Sequence, residues 1–206
     1  MRASFLHVYT AAIPEHVGVG AVFPYSRSEE ISACGSEKVQ KEKYCAWKLL
    51  EFALLDGFGK RIEDISFTKS AQGKWGCDFC YFSLSHSENA VAIALSDSPV
   101  GVDIEKIAPM KNREKIAKKI LTETEQEEYR RLAFDNAAAN DFLLEIWTKK
   151  ESLFKRGGFA SFIPCRIPTD GTATKKLSFT DGEYFLSVAG KAGVDAVLHE
   201  NSPYLP

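Results

Sequence analysis

Tyr81-Phe-Ser-Leu-Ser-His-Ser-Glu-Asn-Ala-Val-Ala-Ile-Ala-Leu95 contains two apolar runs, 81–85 and 90–95, each short enough for a strand and separated by a polar break. The pattern is that of a hairpin. Pro99 closes it, and Val100-Gly-Val-Asp-Ile104 begins a further strand on which Asp103 and Glu105, two residues apart, project from one face. Upstream, Phe5 to Ile13 is rich in aromatic and β-branched residues and stops at Pro14, as an opening strand would. Gly35 separates a short helical turn from a longer helix, Ser36 to about Leu55, in which Tyr44, Trp47, Leu50 and Leu54 recur at helical spacing. Asp56-Gly-Phe-Gly59 ends that helix, and strands follow from Ile65, with a turn at Ser70 to Lys74.

Downstream, Lys111 to Ile120 predicts a helix, and Thr122-Glu-Thr-Glu125 predicts a second one opened by a capping box. A break at Asn136 to Asn140 precedes a third, Asp141 to about Arg156, ended by Gly157-Gly158. On it Glu151 and Lys155 share a face, as do Trp147 and Phe154. Strands return at Lys176 to Thr180, Tyr184 to Val188 and Val194 to Leu198. The last two echo the opening hairpin, so the expected fold is α+β, built of two similar α/β halves about a pseudo-twofold axis. The expected units are 1–99 and 100–206, with the functional site where they meet.

Composition limits what such a site can serve. The chain has 206 residues, 45% hydrophobic and 26% charged, with a net charge of -2. That suits a globular protein without the global basic field that draws proteins to nucleic acid or anionic membranes. No apolar run is long enough for a membrane span, and the start Met-Arg-Ala-Ser-Phe-Leu-His-Val-Tyr carries no leader pattern. Five cysteines, an odd number in a chain of this size, agree with a cytoplasmic setting. Cys77-Asp-Phe-Cys80 is a lone CxxC; without partner ligands nearby it is read as two ordinary thiols rather than a redox or half-zinc motif.

Asp103, Glu105 and Glu151 suit a hard divalent cation, which takes a few carboxylates and keeps its other positions for water and phosphate. Lys155 would add a positive charge beside them. On spacing alone the plainer alternative stands: exposed strand-end carboxylates and a surface helix pair contributing about 0.2–0.5 kcal/mol. The lysines at 38, 41, 43 and 48 are likewise either a solvated helix face or one wall of an anion site.

Three segments resemble the signature motifs of the 4′-phosphopantetheinyl transferases of the long, two-half surfactin-synthetase type. They are Phe82-Ser-Leu-Ser-His-Ser87, Gly101-Val-Asp-Ile-Glu105 and Trp147-Thr-Lys-Lys-Glu-Ser-Leu-Phe-Lys155. Their order and spacing match too, over about residues 36 to 190. The resemblance implies that family's fold and the transfer of the phosphopantetheine arm of coenzyme A to a serine of an apo acyl or peptidyl carrier protein, leaving 3′,5′-ADP. It implies Asp103, Glu105 and Glu151 as ligands of Mg²⁺, with Mn²⁺ suited to the same oxygens. Glu151 and Lys155 take the catalytic roles, the first as base, the second neutralising pyrophosphate charge. Lys43, Lys48, Lys74, Ser85, His86, Lys150 and Lys155 become the implied coenzyme A contacts. Two departures stand out: Trp75 replaces the usual proline after Gly73-Lys74, and lysines 43 and 48 replace arginines, losing the bidentate fork. Lys38 and Lys41 are substitutes, and Lys111 to Lys119 is the candidate surface for an acidic carrier. The resemblance further implies a self-sufficient monomer. A module that binds coenzyme A or the carrier without catalysis is the alternative; it would be expected to have lost one of these carboxylates or the lysine.

Overall fold

The computed structural model describes residues 4–71 and 73–203; Met1 to Ala3 and Gln72, which belong to the leader and turn expectations above, lie outside the described residues. In chain order the elements are β1 (Leu6–Ala12), α1 (Tyr25–Ser32), α2 (Glu37–Phe58), β2 (Phe67–Lys69), β3 (Trp75–Cys77), β4 (Tyr81–Ser87), β5 (Ala90–Ser96) and β6 (Gly101–Lys106). Then come α3 (Arg113–Ile120), α4 (Glu123–Leu132), α5 (Asn136–Arg156), β7 (Ala173–Phe179), β8 (Gly182–Ala189) and β9 (Val197–His199). The strands form a four-stranded sheet of order β4-β5-β1-β9, a three-stranded sheet of order β6-β8-β7, and the small pair β2-β3. The α+β expectation holds.

Size alternation along β5 explains how the layers stack. Val91, Ile93 and Leu95 face one cluster with Trp47, Leu50 and Leu54 of α2, whereas Ala90, Ala92 and Ala94 face another with Val102, Ile104, Tyr184 and Leu186 of the second sheet. All seven residues of β5 are buried. Large side chains on one face suit a helix, and small ones on the other admit a second sheet close by. The β4–β5 hairpin pairs in full register, Tyr81 with Ser96 through Ser87 with Ala90, as the opening stretch predicts.

Two expectations are corrected. The second hairpin is not Tyr184–Val188 with Val194–Leu198: β8 pairs with β7, and β9 crosses to lie parallel to β1 in the other sheet. What recurs in each part is one long helix on one sheet, α2 on the first and α5 on the second. The third helix also starts five residues before Asp141. Asp135 caps it by accepting from Ala137 and Ala138 N–H at 2.8 and 3.1 Å, and the alanine run behind that cap is a good helix former rather than a break. The capping box at Thr122 and Glu125 and the left-handed Gly59 after α2 are present as expected.

On the same face as Ala90, Ala92 and Ala94 of β5, β4 presents Ser83, Ser85 and Ser87 to β6. Among the described residues no backbone ladder joins the two sheets. Instead Ser83, Ser85 and Ser87 accept hydrogen bonds from Val102, Ile104 and Lys106 N–H at 3.1, 3.3 and 3.2 Å. Alternation by two on both strands keeps this serine seam in step, and it satisfies strand-edge donors that would otherwise lack partners.

Candidate active site at the seam between the sheets

The seam delivers Asp103 and Glu105 from β6 to the last turns of α5, which carry Glu151 and Lys155. Asp103 is 3% exposed; its Oδ1 accepts from Lys155 Nζ at 2.7 Å and from Ser85 Oγ at 2.8 Å, while Oδ2 is buried without a partner. Burial pushes the Asp103 carboxyl up, against the lowering pull of Lys155 and Ser85. Glu105 accepts from Ser87 Oγ at 2.7 Å and is also pushed up, by burial and then by the charge of Asp103. Glu151 makes no side-chain hydrogen bond among the described residues and is raised by burial, with Lys155 lowering it and Asp103 raising it. Three carboxylates therefore face one ammonium.

Charge and donor type fit a divalent cation: the set is two negative charges in excess, its donors are hard oxygens, and one buried oxygen lacks a partner. Among the described residues no three His, Cys, Asp or Glu side chains are drawn together around one point. Lys155 Nζ, held by Asp103 and Ser85, is the cation found at Asp103.

A second, cationic region begins on the other face of β4. His86 Nδ1 lies 3.2 Å from Glu42 Oε2 of α2. Burial first, then Lys155, Lys43, Arg27 and Lys38, lowers the imidazole to about 4, so it is neutral at pH 7 amid four cations. Lys74 reaches across from the β2–β3 turn and donates to the Lys155 carbonyl at 2.5 Å, setting an ammonium on the C-terminal end of α5. Burial lowers its pKa. Of the cations around His86, Arg27 is buried and paired with Glu30 at 2.8 Å, Lys43 lies 3.8 Å from Glu30, and Lys38 pairs with Glu88 at 2.9 Å.

Not every predicted contact is brought there. Lys150 is corrected outright: it is 0% exposed and its ammonium is satisfied by Glu125 at 2.6 Å and by the Pro164 and Ile167 carbonyls, both at 3.0 Å. That group braces α5 against α4 and a following loop. Lys48, nearly buried, donates to Glu51 Oε2 at 2.7 Å along its own helix. Ser85 is also turned from the expected nucleotide contact, its hydroxyl engaged by Asp103, Lys155 and Ile104. Lys41 donates to the Glu15 carbonyl at 3.2 Å. Sequence reasoning missed Arg27 and Glu42, whose relevance depends on chain-distant packing, and it missed Ser87. The serine alternation 83, 85, 87 opposite apolar Phe82 and Leu84 was a readable signal for the last.

Glu30 gathers the cations on the α1 side. Its carboxylate takes Arg27 at 2.8 Å, Lys69 at 2.9 Å and the Trp75 indole N–H at 2.8 Å, with Lys43 at 3.8 Å. Burial pushes Glu30 up, but these partners together outweigh it and bring its pKa to about 2 from an ordinary 4.5. A depressed carboxylate stabilises the fold at and above pH 4.5, and that contribution fades as pH falls through about 2. Glu30→Gln is therefore expected to be less stable than the parent at pH 7, the gap closing between pH 4.5 and 2 in denaturant titrations. A gap independent of pH would contradict the pairing.

Cys77 Sγ lies 3.2 Å from the Cys80 carbonyl, neither cysteine is in a disulfide, and hydrogen bonding from Cys80 lowers the Cys77 thiol to about 6, so the pair departs from two ordinary thiols. No helix among the described residues is long and apolar enough to cross a membrane.

The sequence profile of the 4′-phosphopantetheinyl transferase superfamily matches residues 99–196, a span that includes Asp103, Glu105, Glu151 and Lys155. The chain is similar to the 4′-phosphopantetheinyl transferase gsp of Aneurinibacillus migulanus, 38% identical over 103 residues, 50% of this chain and 42% of that one. It is 32% identical over 102 residues to the 4′-phosphopantetheinyl transferase Sfp of Bacillus subtilis (strain 168), 47% of this chain and 44% of that one. To the 4′-phosphopantetheinyl transferase AcpT of Salmonella typhimurium it is 36% identical over 107 residues, 48% of this chain and 50% of that one. The chain spans about half the length of the curated relatives it matches. A carboxylate and lysine centre lies inside the matched span, and over residues 99–196 the chain is similar to the 4′-phosphopantetheinyl transferase superfamily.

Proposed function

We propose that this protein transfers the phosphopantetheine arm of coenzyme A to a serine hydroxyl of an apo acyl or peptidyl carrier protein. The observation that carries the proposal is the excess of two negative charges at Asp103, Glu105 and Glu151, set beside a cation-rich wall at His86. A diphosphate with its divalent cation complements both.

In this reading Asp103, Glu105 and Glu151 would hold Mg²⁺, which when bound neutralises the pyrophosphate oxygens. Residues 1–99 supply the nucleotide wall and 100–206 the carboxylates. Lys43, Lys38, Arg27, Lys74 and His86 orient the nucleotide phosphates. Glu151, which makes no side-chain hydrogen bond among the described residues, takes the proton of the carrier serine as the serine oxygen attacks the phosphorus bearing the pantetheine arm. The bond from that phosphorus to the bridging oxygen breaks, and 3′,5′-ADP departs with the electron pair. Lys155 faces the charge that builds on the departing side. Most of the acceleration comes from positioning and charge rather than covalent help. The carrier would dock on the exposed Lys111, Lys115, Lys118 and Lys119, beside an 870 Å³ cleft lined by Ile107, Pro109, Met110 and Arg113. The enzyme would act as a monomer in the cytoplasm.

The test is to incubate the protein with coenzyme A, Mg²⁺ and apo carriers of fatty-acid, polyketide and peptide-synthetase type, and to weigh each carrier. The expected result is a gain of one phosphopantetheine arm, lost in Glu151→Gln while its circular dichroism stays unchanged. No gain on any carrier would sink the proposal, and a fully active Glu151→Gln would remove Glu151 from it.

A further inference from the structure

We propose that Ser87 is a positioning residue that aims the Glu105 carboxylate, and that the serine seam divides into one purely structural rung and two that also orient acidic groups. The proposal rests on the reading of Asp103, Glu105 and Glu151 as cation ligands.

Hydrogen-bond direction at Ser87 is fixed by its neighbours. Lys106 N–H, 3.2 Å away, can only donate, so the hydroxyl oxygen accepts there. The single hydroxyl proton is then committed to Glu105 Oε2 at 2.7 Å. That oxygen of the carboxylate is thereby held in place. Ser85 behaves in the same way: it accepts from Ile104 N–H and Lys155 Nζ, and its proton goes to Asp103 Oδ1. Ser83 accepts from Val102 N–H at 3.1 Å and touches no carboxylate. The three rungs share the same sheet-joining bond and differ in whether an acid hangs on them.

Among the described residues Glu105 lacks the ion pair that Asp103 makes with Lys155. Asp103 is 3% exposed and has Lys155 as well as Ser85. Glu105 is longer by one rotatable bond and less buried, and its carboxylate is held by neutral groups, the Ser87 hydroxyl at 2.7 Å and the Trp147 side chain. Without the Ser87 bond the carboxylate samples rotamers turned away from Asp103, whose charge repels it. Partners one shell out from a cation typically change its affinity by about 10–100-fold.

The experiment reads binding of Mn²⁺, a spin-active stand-in for Mg²⁺, by electron paramagnetic resonance in the presence of coenzyme A, with coenzyme A alone as the blank. Ser87→Ala is expected to weaken Mn²⁺ binding by about tenfold or more, and Ser87→Thr, which keeps the hydroxyl, to restore it. Ser83→Ala is expected to lower thermal stability with Mn²⁺ affinity unchanged. If Ser87→Ala does not fold, Ser87→Val against Ser87→Thr makes the same comparison at equal shape. Unchanged affinity in the hydroxyl-free variants, or equal weakening in Ser83→Ala, would overturn the positioning role alone. Failure of the parent protein to bind Mn²⁺ at all would overturn the cation-site reading with it.

Discussion

Replacing Asp103 by asparagine is expected to lower transfer by about a thousandfold or more while leaving thermal stability unchanged or raised. The two effects have opposite signs for one physical reason. Asp103 is buried, with one oxygen bonded to Lys155 and Ser85 and the other bonded to nothing. Its carboxyl is raised by burial, so its ionised form is held at a greater cost in the folded chain than in the unfolded one. Such a group stabilises the fold at low pH and withdraws that stabilisation as pH rises through its folded pKa, so at pH 7 the ionised form is a burden. Asparagine keeps the shape and an acceptor for Lys155 without the charge. For a chain of this length each kcal/mol recovered moves Tm by about 2–4 °C, within reach of a melting curve. Loss of charge at 103 also removes the repulsion that adds to burial in raising Glu105 and Glu151. Full activity in Asp103→Asn would show that this carboxylate is not needed for the chemistry. A fall in Tm beyond about 5 °C would show instead that the ion pair with Lys155 outweighs the cost of burial.

The parts of this site written in local sequence were legible, and the parts made by packing were not. Asp103 and Glu105 share a face because strands alternate, and Glu151 and Lys155 because helices repeat, so short motifs sufficed to nominate them. The same logic found the capping box at Thr122 and the hairpin at 81–95. It failed where a side chain's partner lies far along the chain. Lys150 sits one residue from Glu151 in the same motif, yet points to Glu125 and two loop carbonyls, which nothing in its local spacing announces. Arg27 joins the cationic wall only because α1 folds onto α2 with its guanidinium over the Trp47 ring at 4.8 Å. The echo between 81–95 and 184–198 misled for a related reason: alternation identifies strands but does not choose their partners, and β9 completes the first sheet, not a hairpin with β8.

Gly101→Ala is expected to damage both fold and chemistry although residue 101 bears no functional group. A Cβ there would lie 1.9 Å from the Ser152 carbonyl oxygen and 2.4 Å from the Arg156 nitrogen, the two ends of one helical hydrogen bond in α5. Neither side can yield cheaply. On one side β6 is fixed by its register with β8 and by the serine seam, and on the other the last turn of α5 would have to open. Overpacking against backbone costs about 3 kcal/mol at the upper end of its usual range, which corresponds to a fall in Tm of roughly 6–12 °C. The strand and helix that must part are those that carry Asp103 and Glu105 on one side and Glu151 and Lys155 on the other. A displacement near 1 Å is enough to cost about a hundredfold in rate, so the variant should be slow even at temperatures where it is fully folded. That last measurement separates the two effects: activity normal below the melting transition would mean that Gly101 serves stability alone, whereas a persistent loss ties the close approach of β6 and α5 to the geometry of the acidic centre.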